Sequence, residues 1–153
     1  MHSSVMIVRT AVELDIDALA AMRAELWPDG SVDEHRAEVV AMLGRGLDVS
    51  AAFVASDQKG CPFGFAEAEL RYDYVNGCDT SPVAFLEGIY VSPQRRGTGI
   101  GTRLALAVQS WARERGCAEL ASDAPLDNHA SHAFHAAIGF VETERVVYFR
   151  QSL

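Results

Sequence analysis

Ile89-Tyr90-Val91-Ser92-Pro93-Gln94-Arg95-Arg96-Gly97-Thr98-Gly99-Ile100-Gly101-Thr102 is the stretch that decides the fold. It reads as a strand, a glycine-rich turn and a helix start in immediate succession. Ile100, Leu104, Ala107, Val108 and Trp111 then recur at helical spacing up to Gly116, so the turn opens an amphipathic helix. Glycines let the backbone turn tightly and leave room for a ligand. The helix start offers unpaired N–H groups and a positive dipole end, which suit phosphate, and Arg95 and Arg96 add charge beside it. Two phosphate loops fail on context. A Walker loop needs Gly-Lys-Ser/Thr, and no lysine stands here. A dinucleotide fold places its glycines after the first strand, with an acid closing the second.

Upstream of the turn, Ala84–Val91 reads as the fourth strand of the chain. Val5–Arg9 reads as the first. Leu14, Leu19, Met22 and Leu26 follow at near-helical spacing and Trp27-Pro28-Asp29-Gly30 ends that helix. A second helix is expected from Asp33 to Leu43. Ala51–Ala55 and Phe63–Arg71 are strands joined by Ser56-Asp57-Gln58-Lys59-Gly60. Downstream, Ala118–Asp123 is a short strand, and Asp127 or Asn128 caps a helix with Ala130, Phe134 and Ile138 on one face, stopped by Gly139. Val141–Phe149 is expected as a final strand. The order β-α-α-β-β-β-α-β-α-β predicts one α/β domain over residues 1–153, with helices on the faces of a mixed sheet.

The chain has 153 residues, is 49% hydrophobic and 22% charged, and carries a net charge of −8. The excess acid lies wholly in residues 1–83, which hold 6 basic and 14 acidic side chains; residues 84–153 hold 7 of each. That balance argues against nucleic acid, whose binders present a basic patch. It allows an acidic half that attracts cations and a second half able to hold an anion. No apolar run approaches the roughly 20 residues of a membrane span, and Met1–Thr10 lacks a signal-peptide pattern. Cys61, Cys78 and Cys117 are odd in number and form no CxxC, as expected of thiols in a reducing cytoplasm. No set of ligands with metal spacing is present.

Arg96-Gly97-Thr98-Gly99-Ile100-Gly101 resembles the Q/R-x-x-G-x-G/A motif of the GNAT superfamily of N-acetyltransferases, whose turn grips the pyrophosphate of acetyl-CoA. Asn128 and Phe134-His135-Ala136-Ala137-Ile138-Gly139-Phe140 are similar to its second motif, beside the pantetheine arm. Leu26-Trp27-Pro28, Tyr74-Val75, Phe85-Leu86-Glu87-Gly88-Ile89, Ala121-Ser122-Asp123, Asp127-Asn128-His129-Ala130-Ser131 and Glu144-Arg145-Val146-Val147-Tyr148-Phe149 resemble the aminoglycoside 6'-N-acetyltransferases within it. The resemblance implies the GNAT fold, a mixed central sheet of about six to seven strands flanked by about four helices. It implies acetyl-CoA as co-substrate, a polycationic aminosugar as acceptor, antibiotic resistance by modification, and a homodimer.

Carried over by position, the coenzyme contacts are Ile89, Tyr90, Val91, Arg96, Gly97, Thr98, Gly99, Ile100, Gly101, Thr102 and Asn128. The aminoglycoside contacts are Trp27, Tyr74, Glu87, Asp123 and Glu144. Read on its own, Glu87 alternates with Phe85, Ile89 and Val91, so it is expected among apolar neighbours on one face, where burial favours a base. Asp123 closes its strand at the carboxyl edge, where α/β sheets place ligands, although a turn or cap is an equal reading. Glu144 alternates with Val146 and Tyr148, and a surface charge is its default. Three carboxylates reaching one cavity, with Trp27 and Tyr74 as flat walls, would suit several ammonium groups. Many superfamily members place a tyrosine acid after the Phe of the second motif; here that position is His135, and Tyr148 is a second candidate acid. Two other readings stay open: an acetyltransferase for another amine (a polyamine, small metabolite or protein N-terminus), and a non-catalytic acyl-CoA-binding domain.

Overall fold

Three apolar stretches with strand alternation, Ser50–Ser56 (β2), Pro62–Arg71 (β3) and Val83–Val91 (β4), pair in sequence as an antiparallel meander. The β2–β3 turn is held by Asp57, whose Oδ1 accepts from the N–H of Lys59 (2.9 Å) and of Cys61 (3.3 Å). The computed structural model describes residues 6–153. In it Ile7–Thr10 (β1) adds to the outer edge of β2, and Leu120–Ser122 (β5) lies parallel to β4, giving the order β1-β2-β3-β4-β5. Val5, expected in the first strand, lies outside the described residues.

Helices cover both faces. Ile16–Leu26 (α1) and Val32–Arg45 (α2) bury Leu19, Met22, Val39 and Met42 against Val54 and Phe65. The Ser31 hydroxyl caps α2 by accepting from the Glu34 N–H at 3.1 Å. Ile100–Glu114 (α3) is the crossover from β4 to β5 and seals the opposite face with Ile100, Leu104, Val108 and Trp111. His129–Ala137 (α4) follows β5, capped by Asn128, whose Oδ1 accepts from the Ser131 N–H at 3.1 Å. A charged pair fixes the entry to α1. Arg9 donates twice to buried Asp15, at 2.7 and 2.9 Å, and holds its carboxyl below the usual range.

The sheet among the described residues has five strands rather than six or seven. The missing one is the expected strand Val141–Phe149, which runs as exposed irregular chain. A strand exists only by pairing, and among the described residues no strand lies beside residues 141–150.

A second correction concerns β4. Glu67 pairs with Gly88 and Ala68 with Leu86, so Glu87 is an extra residue in a β-bulge. One inserted residue reverses the facing of everything beyond it. Ala84, Leu86, Ile89 and Val91 therefore pack on the α3 side. Phe85 and Glu87 do not share a face with Ile89 and Val91, as the simple alternation predicted.

Candidate functional site

The bulge is where the sheet opens. β4 pairs with β5 only from Ala84 to Leu86, and beyond that its β5-facing edge has no strand partner. Burial records the change, since Val83–Leu86 are buried while Glu87–Val91 are half-exposed. Tyr90 turns its N–H and C=O to Phe65 of β3, so the edge facing the cleft is that of Ile89 and Val91, whose N–H groups and the Ile89 carbonyl are placed to pair with an amide-bearing ligand.

The glycine turn closes the outer end of this cleft. Gly97 (φ 82°) and Gly99 (φ 84°) are left-handed, a conformation that costs other residues, and a Cβ at either would meet nothing within 4 Å. The room is therefore on the solvent side, for a ligand. Gly99 caps α3 with no side-chain hydrogen bond, which leaves the first-turn N–H groups available. Arg96 Nε donates to the Val91 carbonyl (2.8 Å), and Thr98 Oγ1 donates to the Arg95 carbonyl (2.7 Å), so the turn is braced from inside. Gly101 is demanded by packing: a Cβ there would stand 2.8 Å from the Phe134 ring of α4. These features fit the pyrophosphate of a coenzyme A carrier.

On the α1–α2 side of β4 lies a cavity of about 310 Å³ lined by Arg23, Trp27, Glu38, Arg45, Glu67, Glu69 and Glu87, among others. Four carboxylates face two guanidiniums, so it favours cations. Glu87 stands at the junction of this cavity with the β4–β5 cleft. Burial pushes its carboxyl above the usual glutamate range; Arg71, which donates to Oε1 at 2.8 Å, pulls it back, and Glu69 pushes it up again. Asp123 follows directly on β5, one residue past the Leu86–Ser122 pair and so on the Glu87 side. Trp27 forms one wall, standing edge-on to Phe65 at 6.3 Å.

The expected residues do not all converge. Tyr74 sits on the exposed loop 72–82, and Glu144 and Tyr148 lie on the exposed tail, none of them lining the cavity. His135 is half-buried with both ring nitrogens occupied: Nδ1 donates to the Ser131 carbonyl (2.7 Å), and Nε2 bonds the Ser122 hydroxyl (2.8 Å). It joins α4 to β5 and has no nitrogen left free. Sequence reasoning missed Arg23, Glu38, Glu67, Glu69 and Arg71. A readable signal existed, since Arg23 interrupts the apolar stripe of α1 and Glu67 interrupts a buried strand, and buried charges need partners. Burial raises the thiols of Cys78 and Cys117, and no cysteine lines the cavity. Among the described residues no cluster of His, Cys, Asp and Glu is arranged to hold a metal.

Comparison with known proteins supplies the relatives. The family model described as Acetyltransferase (GNAT) family matches residues 17–140. An aminoglycoside N(6')-acetyltransferase type 1 of Serratia marcescens is 50% identical over 148 residues, covering 91% of this chain and 94% of its own. The solved structure of aminoglycoside N-acetyltransferase AAC(6')-Iy in complex with CoA superposes with a TM-score of 0.92 at 41% identity, over 99% of this chain and 98% of the other. The same enzyme with a bisubstrate analogue, CoA-S-monomethyl-acetylneamine, gives a TM-score of 0.91 at 41% identity, over 98% and 100% of the two chains.

Proposed function

The chain belongs to the acetyltransferase (GNAT) family and, within it, to the aminoglycoside N(6')-acetyltransferases, and from that premise we propose how its own residues divide the work. It moves an acetyl group from acetyl-CoA to the 6'-amine of an aminoglycoside. The observation that carries the mechanism is the position of Glu87, where the open edge of β4 meets the acidic cavity.

Acetyl-CoA supplies an acetyl group already activated as a thioester. The α3 N–H groups from Gly97 to Thr102, with Arg96 beside them, hold its pyrophosphate, and the free edge at Ile89–Val91 aligns its amide-bearing arm. Asn128 caps α4 at the far wall of the cleft. On the other side Glu87, Asp123 and the more exposed cavity carboxylates Glu38 and Glu69 receive the ammonium groups of the aminosugar against Trp27. Glu87, directly or through one water, removes a proton from the 6'-ammonium. The freed amine attacks the thioester carbonyl, forming the C–N bond. The strand N–H of Ile89, on the cleft edge, meets the charge that develops on the carbonyl oxygen; that of Tyr90 turns to Phe65 of β3. The C–S bond then breaks and the thiolate takes a proton from water or from Tyr148, the second candidate acid; His135, at the superfamily's acid position, has both ring nitrogens already bonded. Both substrates are bound together and the protein is never acetylated. The product has lost a cationic group, which is the chemical basis of resistance by modification.

The tail enters this reading through a second copy. Residues 141–153 leave the body after the Phe140 N–H bonds the His135 carbonyl at 2.9 Å. Val147, Tyr148 and Phe149 are 76%, 82% and 92% exposed, an apolar strand pattern with nothing to pair with. β5 has a free outer edge, and beside it a cavity of about 420 Å³ lined by Leu120, Ile138 and Phe140. A homodimer in which each tail pairs against its neighbour's sheet buries those side chains and brings Glu144 and Tyr148 toward a cleft. No helix among the described residues is long and apolar enough to cross a membrane, and three free thiols suit the cytoplasm.

A thiol-release assay with acetyl-CoA and three acceptors tests the function. Turnover is expected on kanamycin, and neither on an aminoglycoside bearing a 6'-hydroxyl nor on spermidine. Turnover on spermidine alone would keep the chemistry and overturn the substrate. Binding of acetyl-CoA without transfer to any of the three would overturn the enzyme.

A further inference from the structure

Arg23 and Glu67 form a buried ion pair under the acidic cavity, and the mechanism uses neither. Arg23 of α1 donates through Nη1 to Glu67 of β3 and through Nη2 to Glu38 of α2, while its Nε donates to His35 Nδ1 at 3.3 Å. His35 Nε2 in turn donates to the Trp27 carbonyl at 2.9 Å, which fixes His35 as the neutral Nε2–H tautomer. The Glu67 side chain is 4% exposed, and its Oε2 is buried with no hydrogen-bond partner. Such an arrangement is a poor stabiliser. A buried ion pair commonly gains little over apolar residues of the same volume, and an orphaned oxygen makes the balance worse. Retained charge of this kind marks a position that serves something besides the core.

What it serves is visible one contact further on. The Arg23 guanidinium lies over the Trp27 ring, 4.9 Å from its centroid, and His35 stacks against the same ring at 6.3 Å. The indole backed by this bonded pair presses on Gly88, where a Cβ would stand 2.6 Å from Trp27 Cη2. Gly88 is the residue that pairs with Glu67 across the bulge, and it directly follows Glu87. The network therefore reaches Gly88 twice, through the backbone of Glu67 and through the indole that Arg23 carries.

We infer that Arg23 and Glu67 are positioning residues that set the β4 bulge, through Trp27 and Gly88, and so aim the Glu87 carboxylate at the acceptor amine. The inference rests on the Glu87 reading given above. It assigns to the buried pair an effect on rate rather than on acetyl-CoA binding, because the glycine turn lies beyond the bulge.

The test is a cycle of variants with kcat, both KM values and the pH profile of kcat/KM measured for kanamycin. The groups facing Glu87 are Glu69 and Arg71 from β3, Asp123 directly after β5 and, around the shared cavity, Glu67 from β3, Arg23 from α1, and Glu38 and Arg45 from α2. The double variant Arg23→Met with Glu67→Leu is expected to lower kcat about 10²-fold, the scale of a slightly misplaced catalytic group. The KM for acetyl-CoA should stay unchanged and the acid limb of the pH profile should move. On a Glu87→Gln background the same pair should add almost nothing, since both act through one carboxylate. Gly88→Ala, which disturbs the indole seat and leaves every charge in place, should give the same kcat signature and guards against misfolding of the double variant. An equal loss with and without Glu87, or a loss with the pH limb unmoved, would overturn positioning and leave the Glu87 reading intact. A Glu87→Gln rate equal to the native one would remove that reading, and this inference with it.

Discussion

The glycine turn and the acidic cavity lie on two sides of β4 and are built by opposite means. The turn is local: six consecutive residues, Gly97–Thr102, present backbone N–H groups whose direction is set by two left-handed glycines and a helix start. The cavity is assembled from side chains on α1, α2, β3 and β4, with ionisable groups that alter one another's protonation. A backbone site has no proton to lose and tolerates change in its surroundings. A side-chain site depends on every neighbour. Substitutions on the turn should therefore act on coenzyme binding alone, while those around the cavity should act on rate and on its pH dependence.

The largest effect should come from Glu87→Gln. Removing a general base typically costs 10²- to 10⁴-fold, and kcat for kanamycin should fall within that range with the KM for acetyl-CoA within a factor of about two. A comparable rise in the acetyl-CoA KM would show that the two sides are not separable. Next in size is Gly99→Ala. An alanine held at φ 84° costs about 1–2 kcal/mol, so the turn relaxes and the acetyl-CoA KM should rise about tenfold. Steady-state kinetics at saturating acetyl-CoA should return kcat close to the native value. A kcat that stays low would break the contrast from the other side.

Arg71→Met sharpens the cavity half of the comparison. Glu87 must be ionised to take a proton, so the rate falls as pH drops through its pKa, which burial places above that of an ordinary glutamate. Arg71 opposes that rise through its 2.8 Å bond. Without it the carboxyl should hold its proton to higher pH, and the acid limb of kcat/KM should move upward. A limb that moves downward or stays fixed would mean that Glu87 is not the group titrating. No such movement is expected for Gly99→Ala, whose turn contains no titratable partner of Glu87.

The same contrast decides what the sequence could disclose. Gly97, Gly99 and Gly101 stand together in the chain, and their meaning follows from a strand before them and a helix after. The register of β4 does not. Nothing in Phe85-Leu86-Glu87-Gly88-Ile89 announces that Glu87 is the residue left over when Glu67 meets Gly88 and Ala68 meets Leu86, so alternation placed Ile89 and Val91 on the wrong face. The glycine was the available clue, because in a strand it often marks a bulge or a close approach, here by the Trp27 ring. Residues 141–149 failed for a different reason. Their alternation reads as strand-forming, but pairing is a property of a neighbour, and none of the described strands lies beside them. Arg23 and Glu67 were overlooked because a charge in an apolar stripe declares that it needs a partner without saying which.

His135 gives the smallest expected effect and lies on the boundary between the two sides. It has the chain position of the superfamily's acid, yet its Nδ1 donates to the Ser131 carbonyl and its Nε2 is tied to the Ser122 hydroxyl, which itself lies 3.2 Å from the Leu86 carbonyl. Leu86 is the last residue of β4 paired with β5, and the one proton of the Ser122 hydroxyl goes either to His135 Nε2 or to the Leu86 carbonyl, so His135 and Ser122 hold the cleft at the point where it opens. A pin holds geometry and need not exchange protons. Replacing His135 with alanine should remove hydrogen bonds that contribute about 0.5–1.5 kcal/mol each, which a denaturant titration would read as lost stability. The basic limb of the kcat profile should remain where it was, because a group that never donates to the leaving thiolate leaves no pKa in that profile. A basic limb that vanished in the variant would instead make His135 the acid, and would require its Ser122 bond to break during each turnover.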